Sequence, residues 1–432
     1  MTSTARLDYP LHEHTLGNGL RVVVNPDHAT PVVAVNLWYD VGSRDERPGQ
    51  TGLAHLFEHL MFQGSTHVGS GEHLSALQDA GGSCNATTWF DRTNYFETVP
   101  TSALDLALWL EADRMRGLLD ALTQENLDNQ RDVVKEEKRQ RYDNAPYGDL
   151  LVHLLDLAFP ADHPYRHPVI GSMEDLDAAA LADVRAFFSR WYAPGNAVLT
   201  LAGDIEPVDG FARVERYFGT VPAREVTASA PPGPLPPFAG TPRAEVSGAV
   251  PASLLTLCWR TPAGHTREAD ATDLALEVLG GSETSRLHRR LVRTDRLCTS
   301  AGASALGLTR GSSLGFTQAR ALDGISLDTV EQVIVDEIDR LCEEGPSQGE
   351  LDRIRTQFER EWLSQCARVE ARADLLSASA TIDRNPDRIN TRIVEYCSIG
   401  VEEVREAART HLLTEHRATL AYLHTSSEGE DS

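Results

Sequence analysis

No stretch of this 432-residue sequence approaches the ~18 consecutive apolar residues that a membrane-crossing helix needs, and no two cysteines stand as Cys-x-x-Cys. The first lack argues against a transmembrane helix. The second argues against a zinc ribbon, a thioredoxin-like motif or a dense disulfide frame. Cys84, Cys258, Cys298, Cys342, Cys366 and Cys397 therefore read as reduced, mostly core thiols. Positive charge is also short. Forty Lys and Arg against 64 Asp and Glu give a net charge of -24, which opposes binding to nucleic acid or to anionic membranes. The opening MTSTARLDYPLHEHTLGNG has no basic segment followed by an apolar one, so a cytoplasmic location is the expectation. What is present is a 41% hydrophobic content, which fills the cores of two or three globular domains.

Hydrophobic periodicity predicts a mixture of strands and helices. Strands are expected at Leu16 to Asp27 and Pro31 to Val41, as neighbours in one sheet, and again at Asn196 to Gly203. Helices are expected around HLFEH, at Glu72 to Ala80, Ser102 to Leu122, onward from Thr123, Leu150 to Ala158 and Leu176 to Trp191. Gly81 to Pro100 reads as two short strands about a turn at Asp91 and Arg92. From Val221 to Gly248 the chain turns rich in Pro, Ala and Gly, the composition of a semi-rigid linker. The pattern then restarts with a strand at Ala252 to Arg260 and a helix at Asp270 to Gly281. A helix opening on Gln348 to Asp352 repeats the Gln-x-x-Leu-Asp of Gln124 to Asp128, and ATLAYL near the end echoes NAVLTLAG. The expected fold is α+β, with two duplicated domains, each an antiparallel-rich sheet packed by helices: residues 1–222, a linker at 223–247, and 248–432.

The chemistry gathers at HLFEH. Residues three and four apart share a helix face, so His55, Glu58 and His59 converge. Two imidazoles and a carboxylate there suit a catalytic zinc, although in a chain this rich in acidic residues such a pattern arises by chance roughly 8 per cent of the time. The matching helix of the second half offers Thr272, Ala275 and Leu276, which ligate nothing. A catalytic zinc takes three protein ligands and leaves one position open, so one ligand is missing. The helix after Thr123 offers Glu136 and Glu137; Glu137 shares a stripe with Val133 and Val134 and should point inward, while Glu136 is more lateral.

The runs GLAHLFEHLMFQGST, GGSCNATTWFDRTNY, QRDVVKEEKRQRYDNAPYG, HPYRHPVIGS and GGSETSRLHRRLVR occur in an order that resembles the inverted-zincin family of pitrilysin, insulin-degrading enzyme and the mitochondrial processing peptidase. Length and duplicated halves are similar to its short, processing-peptidase-like branch. The resemblance implies a zinc endopeptidase with one Zn²⁺ per chain on His55, His59 and Glu137, the last selected over Glu136 by the family's E-R-x-V-V-x-x-E pattern laid on Gln130 to Glu137. Glu58 is then the base that takes a proton from water and returns it to the leaving amine. Gln130 stands where the family usually has a supporting Glu, and its amide is expected to hydrogen-bond in that Glu's place. Asn85 and Ala86 fall on the strand to which extended substrates pair.

Relatives that complete the site from their own second domain carry an Arg followed six or seven residues later by a Tyr. Here Arg293 is followed at those positions by Thr299 and Ser300. That departure implies completion by a homologous, non-catalytic subunit supplying an Arg/Tyr pair, a heterodimer, with a homodimer as the competing arrangement. The alternative to an enzyme is a non-catalytic core subunit of such a complex, which predicts eroded metal ligands. None is eroded in this sequence.

Overall fold

A computed structural model of the chain describes residues 6–226 and 231–425. In chain order its elements are β1 (His12–Thr15), β2 (Arg21–Pro26), β3 (Val32–Tyr39), α1 (Leu53–Leu60), α2 (Glu72–Asp79), β4 (Ser83–Thr88), β5 (Thr93–Pro100), α3 (Leu104–Ala121), α4 (Gln124–Lys138), α5 (Leu150–Ala158), α6 (Met173–Ala178), α7 (Leu181–Trp191), β6 (Ala197–Gly203) and α8 (Pro207–Phe218). The second half continues with β7 (Arg243–Gly248), β8 (Leu254–Pro262), α9 (Arg267–Gly280), β9 (Cys298–Ala305), β10 (Ser312–Ala321), α10 (Leu327–Glu344), α11 (Gln348–Ala367), α12 (Val369–Ala378), α13 (Arg388–Cys397), α14 (Val401–His411) and β11 (Ala418–His424).

Two mixed sheets result, in the orders β1-β2-β6-β3-β5-β4 and β7-β11-β8-β10-β9. Leaving β1 aside, the two orders correspond strand for strand. In each, the strand that closes the half, β6 or β11, pairs in parallel with the strand that opens it and antiparallel with the next. The duplication extends to hydrogen bonds. Gln124 Nε2 donates to Asp128 Oδ1 at 2.9 Å on α4, and Gln348 Nε2 to Asp352 Oδ1 at 2.8 Å on α11. Arg131 and Arg355, one turn further on, bind the same aspartates.

Three expectations are corrected. β2 and β3 share a sheet but are not neighbours, because β6 lies between them. Local patterns cannot reveal a strand that returns more than 150 residues later. The expected helix at Leu176 to Trp191 breaks at Ala179 and Ala180 into α6 and α7. Residues 243–247, placed in the linker by composition, belong to β7, whose partner β11 arrives only at the end of the second half. Of the remaining linker, residues 227–230 lie outside the described residues.

The halves interlock. Side chains alternate along β3, so Val33, Val35, Leu37 and Tyr39 join the first core with Leu53, Phe57 and Leu60 of α1. The opposite face of that sheet is covered by α12, from the second half. Reciprocally, α5 of the first half covers the second sheet, Leu154, Leu155 and Ala158 packing with Cys258 and Leu420.

Candidate metal centre and substrate cleft

Helix α1 is short and firmly started. Gly52 precedes it at φ +90, where a Cβ would come within 2.8 Å of the Ile170 carbonyl oxygen, so a side chain is excluded on two counts. With no side chain of its own to cap the helix, Gly52 leaves that task to Glu46. Its buried side-chain carboxylate accepts the Gly52 N–H at 2.9 Å and the Ala54 N–H at 2.7 Å. The buried face of α1 carries Leu53, Leu56, Phe57 and Leu60, with the Phe57 ring 5.6 Å from that of Phe188 and 4.6 Å from that of Tyr192. Burying each such side chain contributes on the order of 2 kcal/mol. The packing turns His55, Glu58 and His59 to the other side.

Helix α4 supplies the third donor. Its inward stripe is Leu127, Gln130 and Val134, and Glu137 follows one turn later. Val133 is 44% exposed, so the inward direction of Glu137 rests on Val134 alone of the two valines. Glu136 faces solvent, paired with Arg139 and Gln140. Glu137 Oε2 lies 3.5 Å from His59 Nε2 and 3.8 Å from His55 Nε2. Its other oxygen takes Arg141 at 2.7 Å.

A tetrahedral zinc with bonds of ~2.0–2.1 Å separates its ligands by about 3.4 Å, which these donors match. All three lie within 4.8 Å of one another. Burial, with His59 beside it, lowers the pKa of His55 to about 4, keeping the ring neutral with a lone pair available. The hydrogen bond with His59 lowers that of Glu137, keeping it anionic. The residues thus fit a zinc ion.

Glu58 stands apart from that trio. Thr88 Oγ1 donates to its Oε2 at 2.6 Å, and Oε1 has no hydrogen-bond partner among the described residues. Burial raises the Glu58 pKa, opposed chiefly by the Thr88 bond. The four side chains open into a cleft of about 490 Å³. Its opposite wall is β4, the edge of the first sheet, contributing Asn85 to Thr88, with Trp89 beyond its end. Asn85 is exposed and Ala86 buried. The N–H of Ala86 is met by Asn85 Oδ1 at 2.9 Å.

Two expected residues behave otherwise. Gln130 is buried on the Glu137 side of α4, but its amide makes no side-chain hydrogen bond among the described residues, and the buried Nδ1 of His55 is also unpartnered. Arg293 lies on the second half, exposed and 3.3 Å from Glu283, and is not among the residues lining the cleft. Every lining residue comes from the first half.

Sequence reasoning missed Thr88 and Glu46. A hydroxyl two residues past Ala86 and a Glu six before a helix-opening Gly are the only local signals of either. It also missed a buried group, His73, Glu97 and Glu111. There Arg114 pairs with Glu111 and lies 3.6 Å from Glu97, so a resident guanidinium already balances the charge.

Comparison with known families places this geometry. Residues 21–171 match the family model described as insulinase (peptidase family M16), and residues 179–358 match that of the peptidase M16 inactive domain. The chain belongs to peptidase family M16. Its sequence is 31% identical over 359 residues to zinc protease PqqE of Helicobacter pylori, covering 82% of this chain and 80% of that protein. It is 30% identical over 401 residues to an uncharacterized zinc protease of Mycobacterium tuberculosis, covering 93% and 90%. The fold superimposes on the crystal structure of a protease from Helicobacter pylori with a TM-score of 0.89 at 28% identity, covering 96% of this chain and 99% of that one. The first half of the periplasmic protease PqqL from Escherichia coli gives 0.76 at 19% identity, covering 98% and 94%. As an M16 member the chain has a peptidase-like role. No described helix is long and apolar enough to cross a membrane.

Proposed function

We propose that this chain is a zinc-dependent endopeptidase whose chemistry resides entirely in its first half. The observation that carries the reading is the meeting of two imidazoles and one carboxylate on the cleft, with a second carboxylate held beside them by a hydroxyl. His55, His59 and Glu137 would hold Zn²⁺. When bound, the ion supplies Lewis-acid polarisation of a scissile carbonyl and lowers the pKa of a water towards ~7.

The remaining work falls to the protein's own groups. Thr88 fixes one oxygen of Glu58 and leaves the other to accept the water's proton and deliver it to the leaving amine. The edge of β4 at Asn85 and Ala86 would pair with an extended peptide once the Asn85 side chain releases the Ala86 N–H, which gives affinity with little sequence choice. Trimming a leader from a precursor peptide and degrading spent peptides both suit such a cleft. The six unpaired cysteines support a reducing compartment, the cytoplasm, as the working location.

Completion by a second, homologous subunit follows from the cleft's one-sided lining and from Arg293, which lies outside it without a Tyr at the expected spacing. A heterodimer is the favoured assembly, a homodimer the competing one. The test combines metal analysis with peptide cleavage for wild type and Glu58→Gln. Zinc at one per chain in both, with cleavage reduced about 10²–10⁴-fold in the variant, is expected. Absence of zinc from both proteins would overturn the reading.

A further inference from the structure

The second half has no metal donors on the cleft, yet its helix α12 is linked through Asn94 of β5 to the strand that holds Glu58. Across the outer face of the first sheet, Ala373 packs on Ala34 and Ala202. Beside it, Asp374 Oδ1 accepts from Trp38 Nε1 at 2.8 Å and from Asn94 Nδ2 at 3.0 Å. Asn94 Oδ1 in turn accepts from Arg92 Nη1 at 2.9 Å and from Thr87 Oγ1 at 2.5 Å. The same Nη1 donates to the Thr87 carbonyl oxygen at 2.9 Å and to the Thr87 hydroxyl. Arg92 lies over the Trp38 ring, 5.5 Å from its centroid.

Successive side chains of a strand point to opposite faces. Thr87 is therefore held from the outer face by this network, and Thr88 holds Glu58 from the inner one. The dipeptide cannot shift without disturbing both. Arg92 is also largely desolvated, and the carboxylates that offset this are Asp374 and Glu58. The adjacent turn residue Asp91 is tied to the second half as well, its Oδ2 accepting the Thr309 N–H at 2.9 Å. By contrast, Glu370 of α12 accepts a hydrogen bond from Thr98, at the far end of the hairpin.

We propose that Asp374 and Arg92 are positioning residues for Glu58, so that the half without metal donors sets the geometry of the base through Asn94, Thr87 and Thr88. The catalytic consequence rests on the reading of Glu58 given above; the mechanical one does not. Deuterium uptake of the segment 83–92 measures the second. In Asp374→Ala this segment should exchange about ten-fold faster at unchanged zinc content, because the network that closes its outer face is lost. Glu370→Gln, on the same helix, should leave it unchanged.

The conservative Asp374→Asn keeps an acceptor oxygen but removes the charge facing Arg92. In the cleavage-competent assembly, kcat should fall about ten-fold with KM within about two-fold, as expected when the base is misplaced and the peptide-binding edge remains. A purely structural role would lower the melting temperature without that split. Exchange and kcat at wild-type values in both Asp374 variants would overturn the inference. Undiminished cleavage by Glu58→Gln would instead overturn the assignment of the base, while the exchange result would still decide the mechanical link.

Discussion

The two halves share a scaffold and differ in what one helix face is asked to do. After the central strand, α1 has eight residues and turns His55, Glu58 and His59 to the cleft. Its counterpart α9 has fourteen and buries Thr272, Ala275 and Leu276, the last two in the second core. The helix that carries Glu137 in the first half carries the exposed Glu361 in the second, at the same distance from its Gln-x-x-Leu-Asp opening. Grouped polar side chains on a cleft give up apolar burial and need supports such as Glu46 and Thr88. The second half uses the α9 positions for packing and leaves Glu361 to solvent, and its contribution to the site is made through α12.

The sharpest way to break this contrast is to remove a donor. His59→Ala should lose bound zinc and lower cleavage by more than about 10³-fold, while the fold persists, because metal and base act as one unit. Metal content and far-UV circular dichroism check this. Zinc retained at one per chain would place the ion elsewhere. Placing the first half's chemistry on the second is the converse test. Ala275→Glu puts an unpaired carboxylate and extra volume into a fully buried position, and should cost about 4 kcal/mol in urea unfolding. A neutral result would mean that α9 tolerates a polar face and that its packing role is wrong.

Support for the short helix gives the next effect. Glu46→Ala leaves the N–H groups of Gly52 and Ala54 without their acceptor and should destabilise by about 3 kcal/mol, with zinc affinity falling as α1 frays. The smallest is a pH effect in the second half. Burial, with Asp273 and Glu361 nearby, pushes the pKa of Glu277 to about 7. The folded state therefore holds this proton more tightly than the unfolded chain. The stabilisation is present at acidic pH and is lost as pH rises from the ordinary carboxylate range towards 7. Glu277→Gln should stabilise by about 1 kcal/mol at pH 8, partial exposure screening the rest, and by little at pH 4.5. Equal effects at both values would remove Glu277 as the cause.

Much of the site was legible because it is local. The spacing of His55, Glu58 and His59 defines a helix face without any tertiary knowledge, and Glu137 follows from one inward residue, Val134. The second valine argued in the same direction for the wrong reason, since Val133 is exposed. What stayed hidden depends on chain segments far apart in sequence. β6 inserts between β2 and β3, β7 waits for β11, and α5 and α12 each cover the other half's sheet. Proline-rich composition masked β7 because parallel pairing to a distant strand leaves no short-range signature. The links from Asp374 to Thr87 span nearly 290 positions, and no periodicity encodes them.

Anomalous scattering at the zinc edge from crystals of the zinc-loaded protein tests the central claim most directly. The account predicts one peak per chain, about 2.0–2.2 Å from His55 Nε2, His59 Nε2 and a Glu137 oxygen, with Glu58 unligated and no peak in the second half. A peak bound by Glu58 in place of Glu137, or located beyond the first half, would contradict it.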